Sequence, residues 1–255
     1  MFPIAINSFR EFIRNKILSL ITFFALLLIG FSLFLASISM GESTRLVVDF
    51  GLQMIELFGV LTVAFLGSQM LFRELEGRTI YLILSKPIER HEFLIGKFLG
   101  LAMVMLLLVG IESGALLIIM AIKGMTISPL ILLSLLMISI KLLILIGVII
   151  FFSTFTAPLI ALSSSVAVYL IGHTGSDLIT MGIRTGNHFI VAMGRFIEVV
   201  FPNMEALSLP KYALNSSIHL SSSTLFIAMG IALAYITILL ISASWIFNRK
   251  NFERF

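Results

Sequence analysis

The chain has 255 residues, 59% of them hydrophobic and only 12% charged, with a mean hydropathy of +1.14. Soluble domains carry about 25% charged residues, so a soluble enzyme is excluded and an integral membrane protein is expected. The net charge of +4 then reflects basic residues gathered on one side of a membrane rather than nucleic-acid binding, and the absence of cysteine excludes disulfides and thiolate metal sites.

Residues 1–16 carry Phe2, Ala5, Ile6, Phe9, Phe12 and Ile13 at helical spacing, with Asn7, Arg10, Glu11, Arg14 and Lys16 on the other side. This pattern predicts an amphipathic helix lying in the membrane interface, with Pro3 accommodated in its first turn. The next run has no charge from Ile17 to Gly41. That is too long for a signal-peptide core, and the run is expected to stay as a span. Six spans are expected in all, at about 17–40, 51–72, 97–121, 129–152, 157–173 and 225–247, each near the roughly 20 residues needed to cross the hydrocarbon core. The turn Ser153-Thr154-Phe155-Thr156-Ala157-Pro158 separates the fourth from the fifth. Nothing remains for a sizeable soluble domain, so residues 1–255 read as one transmembrane domain.

Loop charges orient the spans. With the N-terminus inside, the inner segments hold Arg10, Arg14, Lys16, Arg73, Arg78, Lys86, Arg90, Lys97, Arg249, Lys250 and Arg254, against Arg45, Lys123, Arg184, Arg195 and Lys211 outside. The basic excess places both termini in the cytoplasm. It also places there the charge-dense stretch Arg73–Lys97, RELEGRTIYLILSKPIERHEFLIGK, which cannot sit in lipid between its two flanking spans. Within it, Gly77 weakens the extension of the second span, Ile80, Ile83 and Leu84 recur at helical spacing, and Pro87 stops the short helix so formed. An exposed cytoplasmic helix with an apolar face calls for a partner that buries it. The outer loop, 175–224, contains a second amphipathic stretch at 187–200, with a stripe of Phe189, Met193, Phe196, Ile197 and Val200. It reads either as a lid over the outer mouth or as a packed connector.

Chemistry-bearing motifs are sparse. No G-x-x-x-x-G-K-[ST] occurs, and the run His173-Thr174-Gly175-Ser176-Asp177 has triad residue types without triad spacing. No catalytic, cofactor or metal residue is assigned. The intramembrane polar residues are Glu56, Glu112 and Lys141. Glu56 and Glu112 each lie roughly 8 Å from the outer face at 1.5 Å per residue, so they read either as a pair lining an outer pathway or as separately satisfied groups. Lys141 lies near mid-membrane, long enough to snorkel. Gly96, Gly100, Gly110 and Gly114 fall within about 80° of one another on the third span, with Glu112 on the opposite face, which predicts a close helix-packing seam.

The pattern E-x-G-R-T-I-Y-L-I-L-S-K-P-I-E-R-H-E-F-L-I-G-K between the second and third of six spans resembles the permease subunits of ABC transporters of the type 2, exporter-like class. The resemblance covers nearly the whole chain. The run Phe201-Pro202-Asn203-Met204-Glu205-Ala206-Leu207 is similar to a segment of the subgroup that serves multicopper-enzyme maturation, with Met204 where leucine is usual. The resemblance implies that the hairpin is the coupling helix docking on a separate ATPase, with Glu76, Gly77, Arg78, Thr79, Ser85, Lys86, Pro87, Arg90 and Lys97 as its residues. Ser153, Thr156 and Pro158 would form the second, smaller cytoplasmic contact. It further implies an all-α, N-in/C-in permease in the cell membrane that dimerises with itself or a related permease. Such a subunit pairs with two ATPase subunits holding ATP and magnesium, and moves an unidentified substrate by alternating access. The alternatives are a membrane subunit that acts on an extracytoplasmic partner without translocation, and a standalone channel or secondary transporter.

Overall fold

The computed structural model describes residues 2–38, 43–76, 90–208 and 222–249, and all of the regular structure within them is helical. Most of the stretch expected to couple to an ATPase, with Gly77, Arg78, Thr79, Ser85, Lys86 and Pro87, lies outside the described residues. Helix α1 is Phe2–Ile13, α2 Lys16–Ile38, α3 Ser43–Glu76, α4 Arg90–Ile122, α5 Pro129–Ser153, α6 Pro158–Thr185, α7 His188–Val200 and α8 Ser222–Arg249. A 3-10 turn, Glu205–Leu207, follows α7. Six of these helices, α2 to α6 and α8, are long and apolar enough to cross a membrane.

Helices α3, α4 and α5 form the centre, and their apolar side chains are largely buried among themselves. Helices α2, α6 and α8 stand around them and turn Phe23, Phe34, Leu170, Phe226 and Ile241 outward. A hydrophobic residue on such a surface is solvated by lipid, not by water. The close packing of the centre comes from α3. A Cβ on Gly51 would lie 2.5 Å from Leu116 Cδ1 of α4, one on Gly59 2.5 Å from Leu142 Cδ1 of α5, and one on Gly67 2.6 Å from Ile149 Cγ2 of α5. Three glycines at eight-residue intervals thus each admit a branched side chain from a neighbour.

The seam expected along α4 divides instead. A Cβ on Gly100 would meet Ser8 Cβ at 2.6 Å and the Ala5 carbonyl at 2.9 Å, so this glycine seats α1. Gly96 is buried, whereas among the described residues nothing comes within 4 Å of a Cβ on Gly110 or Gly114. One angular stripe therefore meets a short helix at one end and, among the described residues, no neighbour at the other. Helix α1 buries Ala5, Ser8 and Phe12 and leaves Phe2 exposed.

The helix starts and stops follow local chemistry. Asn15 Oδ1 accepts from Ile17 N–H at the start of α2, and Ser128 Oγ accepts from Leu130 N–H ahead of Pro129, the first residue of α5. Gly124, at φ 65°, makes the turn between α4 and α5. Helix α6 continues twelve residues past the expected end at 173. It stops where Gly186, at φ 66°, supplies the left-handed cap. The reason is α7, which runs back alongside it. A Cβ on Gly182 would lie 2.7 Å from Val191 N, and one on Gly194 2.9 Å from Ile179 N, so backbones meet with no side chain between. The polar run from Thr174 to Asp177, expected as the beginning of a loop, lies inside this helical hairpin.

After α7 the chain folds back as a strap, residues 201–208. Met204 N–H donates to the Gly172 carbonyl of α6 at 3.0 Å. Met204 and Leu207 are buried with residues of α5, α6 and α8.

Candidate functional site

The strap's last residue brings a hydroxyl to a group of polar side chains inside the bundle. Lys141 of α5 is 1% exposed, and its Nζ donates to Glu56 Oε1 of α3 at 2.7 Å and to Ser208 Oγ at 2.6 Å. Tyr169 of α6 donates its hydroxyl to the same carboxylate oxygen at 2.7 Å. His173, one turn further along α6, places Nε2 3.5 Å from both Lys141 Nζ and Glu56 Oε1, and 3.4 Å from Ser208 Oγ. Its Nδ1 lies 3.0 Å from the Tyr169 carbonyl, which can only accept. In the neutral ring Nδ1 therefore carries the proton, and Nε2 faces the ammonium as an acceptor.

An ammonium and a carboxylate withdrawn from water persist only when paired and hydrogen-bonded. Here α3 and α5 each supply one charge, while α6 and the strap supply the dipoles that complete the shell. Tyr169 and His173 share a face because they are four residues apart on one helix, and their rings lie 4.6 Å apart. The cluster ties four parts of the chain together and is neutral as an ion pair.

Of the three intramembrane residues singled out in the sequence, Glu56 and Lys141 meet, and Glu112 stands apart. The register of α3 and α4, set by Leu116 against Gly51 and Leu101 beside Gly67, makes Glu112 level with residue 55 of α3. At 100° per residue Glu112 falls between Leu101 and Leu116, on the side of α4 turned to α3. It is fully buried, and among the described residues neither carboxyl oxygen has a hydrogen-bond partner. The two carboxylates are thus at matching depth, but Glu56 takes its partners from α5 and α6.

At the end of the bundle that carries α1, charges have structural tasks. Arg90 Nη1 donates to the carbonyls of Phe247 and Asn248 at 3.1 and 3.0 Å, where the last turn of α8 leaves carbonyls free. Phe93 stacks on Phe247 with ring centroids 6.1 Å apart. Lys97, expected as an exposed hairpin residue, is 2% exposed, with Nζ 3.8 Å from Glu11 Oε2 of α1. Glu76 ends α3. In the turn between α5 and α6, the Thr154 and Thr156 hydroxyls donate to the carbonyls of Phe151 and Phe152, and Pro158 opens α6. Ser153 is buried, and its hydroxyl has no hydrogen-bond partner among the described residues.

Tyr169, His173 and Ser208 were not among the predicted pathway residues. The four-residue spacing of Tyr169 and His173 in an apolar helix was a usable signal; Ser208, in an irregular segment, gave none.

Six apolar helices around a buried charge cluster define a multi-pass membrane protein. Residues 2–252 match the sequence profile described as ABC-2 family transporter protein, and the chain belongs to that family. No curated protein matches it closely enough to lend a more specific identity.

Proposed function

We propose that the chain is the permease subunit of an ABC transporter, driven by a separate cytoplasmic ATPase. The family match across residues 2–252 carries the reading. The lack of a nucleotide-binding motif in the sequence agrees with a division of labour in which ATP and magnesium are held by the partner. In this reading both termini and the 73–97 hairpin face the cytoplasm of a cell-membrane protein, two permeases form a dimer, and two ATPase subunits dock on the paired hairpins. Glu76, Gly77, Arg78, Thr79, Ser85, Lys86 and Pro87 would meet the ATPase, with Ser153, Thr156 and Pro158 as the smaller contact. Arg90 and Lys97 brace the hairpin's return arm against α8 and α1, so a push on the hairpin reaches three helices at once. Alternating access would then expose the interior to either side. Membership of the multicopper-enzyme-maturation subgroup rests on the 201–207 run alone.

A second reading has an observation of its own. Helix α7 leaves Phe189, Phe196 and Val199 exposed at 74, 63 and 85%. Such a face suits action on an extracytoplasmic partner protein as well as contact with lipid.

The test is purification of the tagged chain from its native membrane in mild detergent, followed by mass spectrometry and an ATPase assay. A co-purifying Walker-motif subunit in equal amount, with vanadate-sensitive turnover, is expected. A chain that repeatedly emerges alone, and that transports in liposomes unaided, would instead identify a standalone transporter.

A further inference from the structure

The 201–208 strap is buried out of proportion to its regular structure. Beyond one 3-10 turn it has no helix, yet Pro202, Met204, Leu207 and Ser208 are all buried. Several of its hydrogen bonds are local: Asn203 Oδ1 accepts from Ala206 N–H, Ser208 Oγ donates to the Met204 carbonyl, and Asn203 Nδ2 reaches back to Glu198 of α7. It is tied to the spans by Met204 N–H to the Gly172 carbonyl and by the Lys141 ammonium to Ser208 Oγ, a hydroxyl that also lies 3.4 Å from His173 Nε2.

These two ties differ in kind. Gly172 fits the strap by shape, since a Cβ there would lie 2.6 Å from the Pro202 carbonyl oxygen. Lys141 holds it by charge, and its charge is already balanced by Glu56 without Ser208. The ammonium can therefore exchange the hydroxyl for water and stay paired, so the strap can leave without stranding an ion in the membrane. A tie to a second carboxylate could not be released in this way.

We propose that Lys141 is the latch of a gate formed by the 201–208 strap, a reading that rests on the transport function proposed above. Glu56, itself held by the Tyr169 hydroxyl, keeps the ammonium in place, Ser208 is the part that detaches, and the strap covers the interior where α5, α6 and α8 meet. Opening removes Met204 and Leu207 from that space and uncovers Val168 of α6, which is buried in the same apolar cluster one turn from Gly172, the residue Met204 packs on.

The natural absence of cysteine allows a direct test. Val168→Cys is introduced as a single reporter, and its reaction with a membrane-impermeant maleimide is followed in reconstituted vesicles of the chain alone. Slow labelling is expected in the otherwise native chain. Ser208→Ala, which spares the Glu56–Lys141 pair, is expected to raise the rate roughly tenfold, the effect of losing one hydrogen bond from the closed state. Val63→Cys, fully buried on α3, serves as the control and must stay unreactive in both backgrounds, since general loosening would expose it too. Fast labelling of Val168→Cys in the native background, or an unchanged rate with Ser208→Ala, would overturn the latch. Adding the co-purified ATPase with ATP and vanadate separates the two readings. If nucleotide leaves the labelling rate unmoved while Ser208→Ala still accelerates it, the latch stands and the ATPase coupling fails.

Discussion

Glu56 and Glu112 occupy matching depths on adjacent helices, and their surroundings are opposite. Glu56 accepts from an ammonium and a phenol and lies within 3.5 Å of an imidazole, whereas Glu112 meets no hydrogen-bond donor among the described residues. Depth in a membrane sets the cost of a carboxylate; which helix faces it decides whether that cost is met. Helix α3 turns Glu56 toward α5 and α6, where polar side chains converge. Helix α4 turns Glu112 toward the glycine-lined side of α3, where Leu101 and Leu116 pack. The comparison therefore separates a charge built into the fold from a carboxyl that the fold merely encloses.

The largest effect should come from breaking the partnered site. Glu56→Leu removes the carboxylate paired with the buried Lys141 ammonium, and Lys141→Met removes the ammonium from Glu56. Each single change should cost about 3–5 kcal/mol in thermal or denaturant unfolding in bicelles. The double variant Glu56→Leu/Lys141→Met should recover most of that loss, because neither charge is then stranded. Equal and additive losses would mean that the pair is not the unit of stability.

A smaller step asks how much the dipoles contribute. Tyr169→Phe removes one donor from the Glu56 carboxylate and leaves the ion pair in place. The expected loss is about 1.5–3 kcal/mol, the range for hydrogen bonds to charged groups. In a Glu56→Leu/Lys141→Met background the same substitution should cost much less, which a double-mutant cycle would reveal.

Glycines on α4 sharpen the same lesson without charge. Gly100 and Gly114 share an angular stripe, but of the two Gly100 alone has a neighbour among the described residues. Gly100→Ala must displace Ser8 or the Ala5 carbonyl, at the low end of the roughly 1–3 kcal/mol that overpacking costs. It should speed proteolytic removal of α1. Gly114→Ala, with open space around it, should leave both stability and proteolysis unchanged.

The sequence displayed the spans because continuous apolar runs are a strong, local signal, and Gly186 and Pro158 mark helix limits that the backbone obeys. It displayed Glu56, Glu112 and Lys141 for the same reason: a charge in an apolar run stands out. It did not display their pairing. Lys141 meets Glu56 across 85 residues and Ser208 across 67, distances over which periodicity carries no information. The α4 stripe misled in part because periodicity names a face, not the neighbour opposite it. The better seam, Gly51, Gly59 and Gly67, was legible as an eight-residue spacing on the second span. Helix α6 overran its expected end because α7 packs along it, a tertiary contact that outweighs the local polarity of Thr174 to Asp177.

The smallest change in stability is expected at Glu112, and there the two measurements of interest diverge. A buried polar group without a partner is a cost in the folded state, so Glu112→Leu should leave unfolding unchanged or shift it upward. Glu112→Gln keeps donors and acceptors in the same enclosure and should gain less. A loss on the scale of Glu56→Leu would abolish the contrast between the two carboxyls. Stability alone does not explain why a carboxyl stands where leucine would pack better. If Glu112→Leu holds or gains stability yet lowers the vanadate-sensitive ATPase turnover of the co-purified complex, the side chain is retained for a step in the cycle at the expense of the fold. If turnover and stability both hold, Glu112 is a tolerated residue, and the function of the interior rests with the Lys141 cluster.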